Sequence, residues 1–194
     1  MLEKKHPLAI RWFHWVNFPL LLMMLWSGLL IYWANPVYRL ELGSYTLFHF
    51  FPEAWFVALG VPYRLAEGMS LHFFFMWLFA ANGLLYVVYL VASGEWRQLV
   101  HVARGRRKFN GAQQIAYTAV ILMGAASLAT GLAIYKPVQF AWLTDLLGGY
   151  EWARWEHFWL AIGYVLFLVI HVVQVARAGW NNFRAMVTGY EIVS

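Results

Sequence analysis

Cysteine is absent from all 194 residues. Without a thiolate the chain can form no disulfide, ligate no iron–sulfur cluster and attach no haem through a C-x-x-C-H sequence. Any metal or cofactor must be held by nitrogen or oxygen. Charge is also scarce: Asp, Glu, Lys and Arg make up 12% of the residues, against about 25% in a soluble domain. Nucleotide-binding glycine loops, nucleophile–base constellations, internal repeats and low-complexity tracts are missing too, so the sequence carries no signature of a catalytic centre of its own.

What fills the chain is apolar: 62% of residues are hydrophobic and 20% aromatic. The hydrophobic runs span residues 12–33, 71–92, 115–135 and 157–176, each close to the roughly 20 residues that an α-helix needs to cross the hydrocarbon. They predict an all-α, integral membrane four-helix bundle, a single transmembrane domain over residues 1–194. The first run is too long for a signal peptide and no Ala-x-Ala-type cleavage site follows it, so it is expected to stay in the chain.

Charge sets the expected orientation. Residues 1–11, the segment between the second and third runs and the C-terminal tail together sum to +7, with Arg97, Arg104, Arg106, Arg107 and Lys108 in the middle segment. The two connections on the other side sum to −2. The positive-inside rule then places both termini in the cytoplasm. No Lys, Arg, Asp or Glu lies within the four runs, and a basic connection of this kind needs no nucleic acid to explain it.

Intramembrane polarity is carried by histidine. His14, His72, His157 and His171 lie in the runs, whereas His6, His49 and His101 lie outside. His14 and His171 flank the cytoplasmic ends of the first and fourth runs, and His72 and His157 begin the second and fourth from the outer side. His157 and His171 are 14 residues apart, which on a helix is roughly 21 Å of rise and about 40° of phase. Both therefore face the same interior at two heights. Imidazole in hydrocarbon needs a partner or a metal. Two stacked b-type haems satisfy all four: His14 with His171 at the cytoplasmic level, His72 with His157 at the outer level. The plainer alternative is four core histidines bonded to neighbouring carbonyls or hydroxyls, in a protein that is only an anchor. A metal-ion transporter or channel is the other, but a bare metal site wants its ligands at one height with carboxylates nearby, and none lies at that depth.

Gly28, 14 residues after His14, shares its face at the outer level and would give a porphyrin room. Gly83, Gly124, Gly131 and Gly163 interrupt the other runs, although glycine also serves ordinary helix packing. Before the third run stands RRKFNGAQQIAY, where Asn110, Gln113 and Gln114 offer donors and acceptors suited to a quinone. A plain polar loop explains them equally well. Arg11, Arg177, Arg64 and Arg154 stand at levels suited to haem propionates or to simple snorkelling. The aromatic segment 34–70 is expected along the interface, with His49 a surface residue there.

These features resemble the b-type cytochrome subunits of membrane-bound nickel–iron hydrogenases, formate dehydrogenases (gamma subunit) and thiosulfate reductases. The resemblance covers essentially the whole chain. It rests on RWFHW (11–15), the histidine of GMSLHFFFMW (68–77), KFNGAQQIAY (108–117), the 14-residue histidine interval and AGWNNFRAMVTGY (178–190). It implies two bis-histidine haem b groups and a quinone beside Asn110 and Gln113, although Gln114 stands where a basic residue is expected. It also implies a bacterial inner-membrane subunit that exchanges electrons between the quinone pool and a periplasmic redox partner, the catalytic chemistry residing in that other chain.

Overall fold

The computed structural model of the chain describes residues 1–99 and 111–193. In order, the elements are β1 (Leu2–Lys4), α1 (Leu8–Tyr32), β2 (Arg39–Leu42), β3 (Tyr45–His49), α2 (Glu53–Ala58), α3 (Leu65–Ser93), α4 (Trp96–Leu99), α5 (Gly111–Tyr135), α6 (Ala141–Leu146), α7 (Tyr150–Ala178), α8 (Trp180–Thr188) and β4 (Tyr190–Ile192). Among the described residues, four helices are long and apolar enough to cross a membrane: Leu8–Tyr32, Leu65–Ser93, Gln114–Tyr135 and Tyr150–Ala178. Large apolar side chains such as Leu84, Val88, Leu166 and Ile170 stand exposed on them, a surface that only lipid or a partner could cover.

Helices α3 and α7 begin before their apolar runs. Leu65–Ser70 and Tyr150–Glu156 are helical, because backbone hydrogen bonding continues through polar residues once a helix has formed. His72 and His157 each lie seven residues inside a helix start rather than opening it, a depth of about 10 Å.

Chain contacts divide the protein into two compact units, residues 14–82 and residues 1–13 with 83–194. In the first, α1 and α3 pack closely: a Cβ built on Gly68 would come within 2.8 Å of Leu30 Cβ and 3.2 Å of the Ile31 nitrogen. Deeper in the same pair, Asn82 Nδ2 donates to Asn17 Oδ1 at 2.9 Å, so two amides satisfy each other in the apolar interior. Segment 34–70 holds more structure than its aromatic composition indicates. Strands β2 and β3 pair antiparallel across a two-residue turn, where Gly43 takes φ +61°, a conformation that suits glycine. Tyr32 ties this hairpin to the end of α1, donating to Phe50 O at 3.1 Å and accepting from Tyr38 N at 3.0 Å.

In the second unit α5 packs on α7. A Cβ on Gly124 would meet Tyr164 Oη at 3.5 Å, and one on Gly163 would meet Met123 Cε at 2.9 Å. A small core of Ala133, Leu143 and Ala153 closes the turn that contains α6. After Gly179, at φ +84°, the chain enters α8, whose Trp180, Phe183 and Val187 recur at helical spacing among polar residues, the pattern of an interfacial helix. Strands β1 and β4 then pair antiparallel. Lys5 Nζ binds Glu191 at 2.6 Å and Asn182 Oδ1 at 3.2 Å, while Asn181 exchanges two hydrogen bonds of 2.9 Å with the Ile192 backbone. Of the two asparagines of AGWNNFRAMVTGY, Asn182 thus ties α8 to the N-terminal segment and Asn181 ties it to β4.

Candidate functional site

All four intramembrane histidines are half-buried, and each stands at a similar depth in its own helix. His14 is six residues from the start of α1, His72 and His157 are seven from the starts of α3 and α7, and His171 is seven from the end of α7. His49, by contrast, uses Nε2 to donate to Pro36 O at 2.7 Å, which keeps it within its loop.

The α1–α3 unit builds the surroundings of His72. Ser27, fully buried, places Oγ 2.9 Å from His72 Nδ1. Next to it, a Cβ on Gly28 would lie 3.6 Å from His72 Cε1 and 3.9 Å from Nδ1. Gly28, singled out by its register with His14, therefore stands directly against the ring of another helix.

The α5–α7 unit repeats the arrangement. Buried Thr130 places Oγ1 2.8 Å from His157 Nδ1, and a Cβ on Gly131 would lie 3.4 Å from His157 Cε1 and 3.9 Å from Nδ1. Each of these histidines thus meets a hydroxyl residue followed by a glycine on the neighbouring helix. Farther along α7, His171 stacks on Phe167 at 5.6 Å and 12°, and in α1 His14 meets Trp15 edge-on at 5.0 Å.

Arginine partners sort differently from the expectation. Arg64 pairs with Glu67 at 3.3 Å and Arg154 with Glu151 at 3.1 Å, so both guanidinium groups already have carboxylates. At the other end Arg11 donates to Val187 O. Its Nε, together with Nε and Nη2 of Arg184, is buried with no hydrogen-bond partner among the described residues. Arg184 drew no notice in the sequence beyond its charge, since an arginine in an amphipathic C-terminal helix ordinarily points to water. Asn110 lies outside the described residues. Gln113 falls in the first turn of α5, and Gln114 beside it is buried.

The residues fit a haem b. Imidazole nitrogens are haem-iron ligands, bare glycines leave room against two of the rings, and the buried nitrogens of Arg11 and Arg184 call for carboxylates such as propionates. A bare cation fits less well: among the described residues no three His, Cys, Asp or Glu side chains group so as to hold a metal ion.

Comparison with known proteins agrees with this chemistry. The sequence model of the family described as prokaryotic cytochrome b561 matches residues 5–189. A protein of Azospira oryzae, provisionally named protein-methionine-sulfoxide reductase subunit YedZ1, is 31% identical over 204 residues, covering 95% of this chain and 96% of its own. No solved structure matches the chain.

Proposed function

The chain belongs to the prokaryotic cytochrome b561 family, and from that premise we propose that it is a membrane-anchoring di-haem subunit carrying electrons between a periplasmic redox enzyme and the quinone pool. It is a multi-pass membrane protein of a b-type cytochrome family. In the proposed arrangement His14 and His171 hold one haem, and His72 and His157 the other.

The observation that carries this reading is depth. Four imidazoles each stand six or seven residues inside a spanning helix, His14 and His171 measured from the start of α1 and the end of α7, and His72 and His157 from the starts of α3 and α7. Along α7 the two levels are 14 residues apart, or roughly 21 Å, most of the roughly 30 Å hydrocarbon core. A haem held by such a histidine pair would supply reversible one-electron transfer.

The residues of the chain position and neutralise. The imidazoles set the two levels, Gly28 and Gly131 keep ring edges accessible, and Arg11 and Arg184 offer guanidinium nitrogens to propionates at the cytoplasmic level. Asn110 and Gln113, preceding and opening α5, would bind the quinone carbonyls there and pass protons from the cytoplasm. The name of the Azospira relative, a reductase subunit, supports service to a separate catalytic chain, and the location that suits such a chain is the bacterial inner membrane.

The test is a reduced-minus-oxidised visible spectrum of the purified chain, with pyridine haemochrome quantitation. About two b-haems per chain, falling to about one in His14→Ala and in His72→Ala separately, is the expected result for bis-histidine ligation. A folded, colourless chain made with ample haem sinks the reading, and uptake of a transition-metal ion into vesicles would then favour transport.

A further inference from the structure

We infer that Ser27 and Thr130 are paired positioning residues, which lock His72 and His157 in the tautomer that presents Nε2 for ligation and lower the reduction potential of the haem they share. The inference rests on the haem reading above.

The argument is a proton count. Ser27 Oγ lies 2.6 Å from Met23 O, and two oxygens so close require a hydrogen between them. A carbonyl has none to give, so the single Ser27 proton is committed to Met23. Toward His72 Nδ1, at 2.9 Å, Ser27 can only accept, and the proton of the neutral imidazole therefore sits on Nδ1.

The count is the same at the second site. Thr130 Oγ1 donates to Ala126 O at 2.8 Å and so accepts from His157 Nδ1, also at 2.8 Å. With Nδ1 protonated, the lone pair of each ring is on Nε2. An accepted Nδ1–H bond also makes imidazole a stronger donor, which favours the more highly charged ferric iron and lowers the potential. Hydrogen-bonding a hydroxyl to its own helix at i−4 ordinarily has no function beyond satisfying the group. Here the same local bond fixes which way the hydroxyl faces the ligand, and it occurs on two helices, each time one residue before the glycine that abuts the ring.

The experiment is a potentiometric titration of the haems in the purified full chain, with Ser27→Ala and Thr130→Val compared against Ser27→Thr and Thr130→Ser. Wild-type haem content is expected in all four. Ser27→Ala and Thr130→Val should each move one of the two redox waves to more positive potential, and the same wave in both. The hydroxyl-retaining variants should leave it in place, and the low-spin ferric EPR signal of that haem should shift in step. If Ser27→Ala does not fold, Ser27→Cys, close in size but a poor acceptor, should move the wave in the same direction.

Retained haem with unmoved waves overturns the positioning role while leaving the haem reading intact. Waves that move separately, one for each residue, overturn the shared site. Failure of the haem reading itself shows earlier and differently, as a wild-type chain without haem.

Discussion

At Gly28 and Gly131 the absence of a side chain leaves a histidine ring its place, and the two positions differ in spare room. A methyl on Gly28 would stand 3.6 Å from His72 Cε1, whereas one on Gly131 would stand 3.4 Å from His157 Cε1, the edge of ordinary contact. Gly28→Ala should therefore keep the wild-type haem content. Gly28→Leu and Gly131→Leu, whose longer side chains must displace a ring, should each lose about one haem per chain by pyridine haemochrome, since overpacking that forces such shifts costs roughly 1–3 kcal/mol. The arginines offer a second contrast. Arg154, ion-paired with Glu151 at the exposed end of α7, should tolerate Arg154→Gln with a loss of at most about 1 kcal/mol and unchanged haem. Arg184, with two buried guanidinium nitrogens lacking a hydrogen-bond partner among the described residues, should respond to Arg184→Gln by releasing haem faster to an apo-acceptor, read as decay of the visible bands.

Helix packing makes an equally direct demand on α1 and α3. Gly68 stands where α1 backbone and Leu30 Cβ leave no room for a methyl, at 2.8–3.3 Å, so Gly68→Ala must separate the helices and should destabilise by about 1–3 kcal/mol. Gly83, farther along α3, faces nothing within 4 Å among the described residues, and Gly83→Ala should be neutral or add about 0.5–1 kcal/mol from helix propensity. Thermal unfolding in detergent distinguishes the two. At this scale the spanning helices were plain in the sequence because hydropathy reports lipid contact directly. The starts of α3 and α7 were not, because helical hydrogen bonding runs on through Leu65–Ser70 and Tyr150–Glu156 after hydropathy has fallen. The β2–β3 hairpin hid within an aromatic stretch whose composition suits the interface in any conformation. The histidines were legible because an imidazole in a span demands a partner. Ser27 and Thr130 were not: a hydroxyl in a membrane helix satisfies itself on its own backbone, and Ser-Gly and Thr-Gly also occur at 93–94 and 188–189, away from any intramembrane histidine. Only the neighbouring helix distinguishes the two that matter. Gly131 went unranked for the same reason, having no histidine on its own helix to set its register.

For the whole molecule, the deciding quantity is which face of the membrane holds the chain ends. Pairing of β1 with β4, reinforced by Lys5–Glu191 and Lys5–Asn182, puts both ends on one face, as an even number of spans requires. The charge difference of +7 against −2 is the ground on which we propose, by the positive-inside rule, that this face is cytoplasmic. The orientation matters to the proposed function, because it would put Arg11, Arg184 and the start of α5 on the proton-supplying side and leave the opposite face for the proposed periplasmic partner. A reporter that fluoresces only in the cytoplasm should be bright when fused after Ser194 and dark when inserted at the Gly43–Ser44 turn. A phosphatase active only in the periplasm should give the reverse pattern. Charge is the cause proposed, so neutralising Arg97, Arg104, Arg106, Arg107 and Lys108 together, which removes five of the charges behind the +7, should produce a mixed population with both reporters partly active. An unchanged topology in that variant would mean that something other than the charge of this segment holds the orientation.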